Sequence, residues 1–248
     1  MAPSRAYAPD VAEPAQDDEF APILEGEGAS DYERYLRTDA LLSLQKAPEE
    51  MVHRDELLFF TVHQSSELWL KLACFEVEEA TRLIEARELA AAIRLLRRAN
   101  DCLKYVTSFL DHLEQMSPWE YHTIRKVLGH GSGFDSPGFR EVRRVSPPLA
   151  QAFSELRRER GLSLVEVYTR GREHEDVYQI AELLTEWDER VTVWRFRHYK
   201  VVTRSIGEIA IGTQGTPVEL LGGLIKKKMF PELWHVRTQL TELANETD

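Results

Sequence analysis

The stretch Asp55-Glu-Leu-Leu-Phe-Phe-Thr-Val-His-Gln-Ser-Ser-Glu-Leu-Trp-Leu-Lys-Leu72 decides the fold class. It contains no Gly or Pro, and its residues are mostly tolerated in a helix. At 3.6 residues per turn, Phe59, His63, Ser66, Glu67 and Leu70 fall on one face. That face sets an imidazole between an aromatic ring one turn earlier and a small hydroxyl one turn later. Two readings of His63 follow: a hydrogen-bonded interior histidine, or a side chain bordering a cavity.

The surrounding composition narrows the class. The chain has 248 residues, 43% hydrophobic and 29% charged, enough to bury a substantial core. A net charge of −11 argues against nucleic acid as a partner, because phosphate contacts need clustered Lys and Arg. No apolar run approaches the roughly 18 residues that span a bilayer. The N-terminus shows no hydrophobic secretion-signal core, which points to a cytoplasmic protein. Cys74 and Cys102 both sit in helical patterns and read as buried free thiols. No Cys-x-x-Cys is present, which removes zinc ribbons and thioredoxin-like redox pairs.

Outward from the anchor, residues 1–28 are rich in Ala, Pro, Asp and Glu without periodicity, and read as a disordered N-terminal tail. Residues 29–248 read as a single all-helical domain. Asp31 to Gln45 carries Tyr32, Tyr35 and Leu36 on one side of a short helix, as packing or as an aromatic lid. The anchor helix runs from near Asp55 to the high 80s. A second long helix carries Ile93, Leu96, Leu103, Val106, Leu110 and Leu113 and ends at Met116.

Ser117-Pro-Trp-Glu120 is a capping box that starts a new helix, on which Tyr121 and Arg125 share a face. Gly129-His-Gly-Ser-Gly133 stops it. Ser146-Pro-Pro then opens a helix through Phe153 and Leu156. A third long helix begins near Glu175 with the seam Ile180, Leu184, Trp187, Val191, Trp194, His198, Val201 and Ser205. After Gly207 comes the loop Ile211-Gly-Thr-Gln-Gly-Thr-Pro217. A last helix is expected over Val218–Lys228, with Phe230 to Thr238 packing the end. No period-two run of any length appears, so the chain reads as all-α.

His198 carries the sharpest chemical question. A neutral imidazole in an apolar seam loses about 1–3 kcal/mol for each nitrogen without a partner. A carbonyl, a water or a metal must supply one, and an iron porphyrin slotted between helices satisfies the same need. Arg125 on an inward face needs an anion, and a guanidinium grips a carboxylate in bidentate fashion; a surface salt bridge is the plainer reading. Thr213 offers a hydroxyl between glycines. His63 and Glu67, four apart, also have the spacing of two ligands on one metal.

As an ordered set, the motifs resemble the haem-dependent tryptophan 2,3-dioxygenase family over residues 31–240. They are Tyr32-x-x-Tyr-Leu-x-Thr-Asp39, Asp55-Glu-Leu-Leu-Phe-x-x-x-His-Gln-x-Ser-Glu-Leu-Trp69 and Met116-Ser-Pro-x-x-Tyr-x-x-x-Arg125. Ser132-Gly-Phe-x-Ser136, Trp194-Arg-x-x-His198, Arg204-x-Ile-Gly207, Gly212-Thr213 and Phe230-Pro-x-Leu-Trp234 follow in order. The resemblance implies a haem-binding helical bundle that cleaves the indole C2–C3 bond of L-tryptophan with dioxygen, giving N-formylkynurenine, the entry to the kynurenine pathway.

It also implies roles for individual residues. His198 matches the proximal haem ligand, and His63 the distal histidine facing the indole N–H. Phe59 matches the aromatic residue packed on the indole, Arg125 the partner of the substrate carboxylate with Tyr121 beside it, and Thr213 a hydroxyl near the substrate's charged groups. Ser132 and Gly133 match the stretch lining the distal side of the haem. Tyr32, Tyr35 and Leu36 match residues lent to a neighbouring subunit, which implies a homotetramer. Relatives with covalent haem carry a Cys four residues after the proximal histidine; Val202 stands there, so dissociable haem b is expected.

The chain departs from the family at one loop and just after it, where the usual Gly-Tyr-Leu segment is replaced by Val218-Glu-Leu-Leu-Gly222. The usual Gly-Thr-Gly-Gly-Ser reads Gly212-Thr-Gln-Gly-Thr216 here, so Gln214 places a Cβ where the family has none. A second function stays open beside the first: a haem monooxygenase of the same group acting on a modified tryptophan or another aromatic amino acid in natural-product biosynthesis.

Overall fold

Helix-period patterning without strand-period runs produces helices alone among the described residues. In the computed structural model, residues 20–246 are described. The expected disordered tail over 1–28 lies outside them as far as residue 19. Two compact units emerge, residues 1–50 and 51–248.

The first unit is built on α1 (Asp31–Leu36) and α2 (Thr38–Leu42). Ser30 and Glu33 form a capping box on α1. The backbone amides of Ile23 and Leu24 donate to the Asp31 carboxylate, and Arg34 donates to the carbonyls of Leu24 and Gly28. Arg37, in the left-handed region at φ 54°, separates the two helices. Tyr32, Tyr35 and Leu36 are exposed on α1.

In the second unit, α3 (Glu56–Glu85) packs along α4 (Leu89–Leu113) and α6 (Pro137–Glu159), and α4 packs along α8 (Glu175–Ile206). The anchor stretch therefore opens the longest helical hairpin of the unit. Leu70, Ala73, Val77, Leu103, Phe153, Ile180, Leu184 and Trp187 fill the space between these four helices. Cys74 and Cys102 are buried free thiols, raised by burial to about 12 and about 11. No helix among the described residues is long and apolar enough to cross a membrane.

Two element boundaries differ from the pattern-based expectation. The helix expected to open at Ser146 opens at Pro137, with Ser136 as N-cap, and runs through Pro147 and Pro148. An interior proline costs roughly 3 kcal/mol. Here Val142, Val145, Leu149, Ala152, Phe153 and Leu156 are buried on both sides of the proline pair, and that continuous stripe holds the helix together. The Ser146 hydroxyl adds a bond to the Val142 carbonyl at 2.7 Å and accepts from Trp187 Nε1 at 3.0 Å.

Near the C-terminus, the expected Val218–Lys228 helix shrinks to α9 (Glu219–Leu224), and the larger element is α10 (Pro231–Glu246). Its first turn is fixed by Asp188 of α8, whose Oδ2 accepts from the amides of Met229 and Phe230 and from Trp234 Nε1. Two short helices complete the unit, α5 (Pro118–Arg125) and α7 (Leu164–Thr169), each started by a serine–glutamate capping box.

Candidate functional site

Each half of the site begins with an imidazole on a long helix. On α3, His63 Nδ1 lies 2.7 Å from the Phe59 carbonyl one turn earlier. A carbonyl can only accept, so Nδ1 carries the proton and Nε2 keeps a free lone pair. The Phe59 ring packs against the imidazole, centroids 4.1 Å apart, and stands 6.4 Å from the Tyr121 ring on α5. Solvent reaches His63, yet desolvation lowers its pKa, outweighing the opposite pull of the Phe59 carbonyl and of Glu67.

On α8, the apolar seam is buried at Ile180, Leu184, Trp187, Val191 and Val201 but only half-buried at Trp194 and His198. The His198 ring stacks on Trp194 at 4.8 Å and 7°, and Trp194 in turn packs on Phe139 of α6 at 3.7 Å. Burial pushes the His198 imidazole down to about 4, with a smaller repulsion from His63. The two rings are therefore close enough for the charge of one to be felt by the other. Among the described residues, neither His198 nitrogen has a hydrogen-bond partner, so a neutral ring keeps an uncommitted lone pair.

Between the two helices lies the segment that follows α5. The Cβ that Gly133 lacks would stand 3.5 Å from both Cε1 and Nε2 of His198, so any side chain at 133 would lie in contact with that edge of the ring. Ser132 caps the short 3-10 turn Gly133–Asp135, with its hydroxyl accepting from the Phe134 amide. Arg125 donates through Nη2 to the Ile211 carbonyl, and Thr213 donates through its hydroxyl to the Gly131 carbonyl. Burial raises the Tyr121 phenol, and Arg125 beside it pulls the other way. The structure thus links Phe59, His63, Tyr121, Arg125, Ser132, Gly133, His198 and Thr213 through direct contacts or a shared field. Tyr32, Tyr35 and Leu36 belong to the other unit.

The family model for tryptophan 2,3-dioxygenase matches residues 18–145 and 152–240. The chain belongs to the tryptophan 2,3-dioxygenase family. A tryptophan 2,3-dioxygenase of Myxococcus xanthus is 32% identical, covering 86% of this chain and 91% of that protein. The enzyme of the same name from Caulobacter vibrioides is 31% identical over 84% of this chain and 98% of its own length. One from Bacillus thuringiensis subsp. konkukian is 30% identical over 84% and 92%. Membership of this family makes the chain an oxidoreductase with an all-α fold.

The donor set fits a haem of the kind the dioxygenase resemblance implies. His198 offers an unprotonated, unpartnered imidazole on a half-buried apolar face, and glycine at 133 keeps side-chain bulk away from its Nε2 edge. The His63–Glu67 pair does not make a metal chelate. Glu67 is already engaged, accepting from Ser136 Oγ at 2.6 Å and from the Gly138 amide at 2.8 Å. No group of three or more His, Cys, Asp or Glu side chains suited to an ion converges among the described residues.

Three contacts of the site escaped the sequence reading, two of them made by residues it singled out for other reasons. Glu67 fastens the start of α6 to the helix of His63. Phe139 backs Trp194, and Gln214 donates to Asp135 Oδ2 at 2.6 Å. Only the first had a signal: Ser136-Pro-Gly138 is a helix start whose amides need an acceptor.

Proposed function

We propose that this chain is a haem-dependent, homotetrameric, cytoplasmic dioxygenase that opens the indole ring of L-tryptophan to N-formylkynurenine. The observation that carries the reading is the unlike pair of neighbouring imidazoles. Among the described residues neither His198 nitrogen has a hydrogen-bond partner, and burial pushes the ring down to about 4, whereas His63 has one nitrogen committed and one free to accept. In this reading His198 would hold the iron of a non-covalent haem b, with Ser132 and Gly133 against the same site.

Haem iron, once bound, supplies dioxygen binding and its activation. The protein's own work is to place the substrate. His63 Nε2 accepts the indole N–H while its Nδ1–H stays on the Phe59 carbonyl, so the ring is aimed with one face on Phe59. Arg125 turns its remaining N–H groups to the amino-acid carboxylate, and Tyr121 shields that ion pair from water. Thr213 contributes a hydroxyl from the loop above. Tyr32, Tyr35 and Leu36, exposed in this chain, are assigned to a neighbouring subunit's pocket. Both oxygen atoms end in the product: L-tryptophan and dioxygen give N-formylkynurenine with nothing left over.

The Gln214 departure favours a second reading to be tested beside the first, oxygenation of a modified tryptophan or other aromatic amino acid with one atom retained. Reduced, haem-loaded protein given L-tryptophan and ¹⁸O₂ is expected to yield a product heavier by two ¹⁸O atoms. Incorporation of a single atom would replace the first reading with the second. Arg125→Ala is expected to lower kcat/KM by the equivalent of roughly 2–5 kcal/mol, as for a stranded buried charge partner. An unchanged kcat/KM would remove Arg125 from substrate binding.

A further inference from the structure

We propose that Gln214 is a positioning residue that clamps the Ile211–Pro217 loop to the Gly133–Asp135 turn, so that loop and turn open as one body and control access to the Nε2 edge of His198. The consequence for haem rests on the ligand assignment above; the clamp itself does not. Asp135 Oδ2 is shared: it accepts from Gln214 Nε2 at 2.6 Å and from the Ser132 amide at 3.2 Å. One ionised oxygen therefore holds the loop on one side and the turn on the other. An ionised acceptor makes such bonds stronger than neutral ones.

The loop is stiff enough to transmit this. The Gly212 amide donates to the Thr216 carbonyl at 2.8 Å, and the Gly215 amide donates to the Gly212 carbonyl at 3.1 Å. Gly215 takes φ 74°, a value that suits glycine, and Ile211 bridges to Pro217. Three neighbouring positions on one side of this closed loop reach the preceding segment: Ile211 to Arg125, Thr213 to Gly131 and Gln214 to Asp135. The first two end on α5 and on Gly131, before the turn. Among the described residues, Gln214 alone hydrogen-bonds from the loop to the turn, two residues from the glycine that faces His198. A glycine at 214 has no side chain to make this contact.

The test is hydrogen–deuterium exchange on the full-length, ligand-free protein with Gln214→Ala, Gln214→Glu and Gln214→Lys. Gln214 is exposed, so the variants leave the core untouched. Gln214→Ala is expected to speed exchange at residues 131–136 and 209–217 together, on the order of fivefold for one lost hydrogen bond. Gln214→Glu, which sets two carboxylates face to face, is expected to speed both further, and Gln214→Lys to restore protection. Faster exchange in the loop alone, or in neither segment, would overturn the proposal.

A second arm mixes haemin with each apoprotein and follows the rate of Soret growth. The clamp predicts faster uptake for Gln214→Ala and recovery for Gln214→Lys; identical rates would overturn the control of access. If no variant and no wild-type protein takes up haem, the ligand assignment fails, while the exchange result still decides whether loop and turn are coupled.

Discussion

His63 and His198 are the same side chain, desolvated on two helices of one site, and they are held in different ways. His63 is held by hydrogen bonding: Nδ1 is tied to Phe59, and the helix around it is fastened to α6 through Glu67. His198 is held by packing, face to face with Trp194, which leans on Phe139, with no hydrogen bond among the described residues. A hydrogen bond fixes one nitrogen's role and leaves the other directional. A stack fixes the plane of the ring and leaves both nitrogens uncommitted. The first suits an acceptor aimed at an N–H, and the second suits a metal ligand.

The largest effect should come from breaking the packed side. Trp194→Ala removes the platform under His198 and a large side chain packed on the core, and is expected to cost about 3 kcal/mol in chemical denaturation. Haem retention should weaken with it. Unchanged haem affinity would show that the stack does not hold the ring. On the bonded side, Glu67→Ala leaves the Gly138 amide and the Ser136 hydroxyl without their acceptor, an expected loss of roughly 1–3 kcal/mol. Glu67→Gln should recover part of that, because its carbonyl oxygen still accepts. Equal losses for Ala and Gln would mean that the carboxylate's charge, and not its geometry, matters.

The smallest effect is expected for His63→Ala, which removes one acceptor from the bound indole. A lost neutral hydrogen bond is worth about 0.5–1.5 kcal/mol, so kcat/KM should fall by roughly two- to tenfold while haem stays bound. A fall of several thousandfold would instead make His63 an obligatory base. N-methylated tryptophan gives the complementary check: with no indole N–H to donate, wild type and His63→Ala should turn it over alike.

The long helices were legible because apolar residues recur on one face over roughly seven to nine turns, and the seam from Ile180 to Val201 marked where α8 would be buried. The proline pair misled: Pro147-Pro148 has the form of a helix start, but the stripe on both sides of it was buried strongly enough to carry the helix through. The final helix was misplaced for a related reason. Its signal, Pro231 at the first turn, depends on Asp188 more than forty residues earlier to cap it, and no local pattern shows that.

At the site, motif spacing marked His63, Arg125 and His198, because helix periodicity fixes which way a side chain points. The bonds from Gln214 to Asp135 and from Glu67 to Ser136 join segments 79 and 69 residues apart. Partners at such separations are set by how the loops fold back on the bundle, and no periodicity in the sequence shows that.

The contrast between the two imidazoles is tested most directly by resonance Raman spectroscopy of the ferrous, haem-loaded protein in wild type, His198→Ala and His63→Ala. The account predicts an iron–histidine stretch in wild type that disappears in His198→Ala and survives in His63→Ala. Loss of that band in His63→Ala with retention in His198→Ala, or its survival in both, would contradict the assignment on which the site depends.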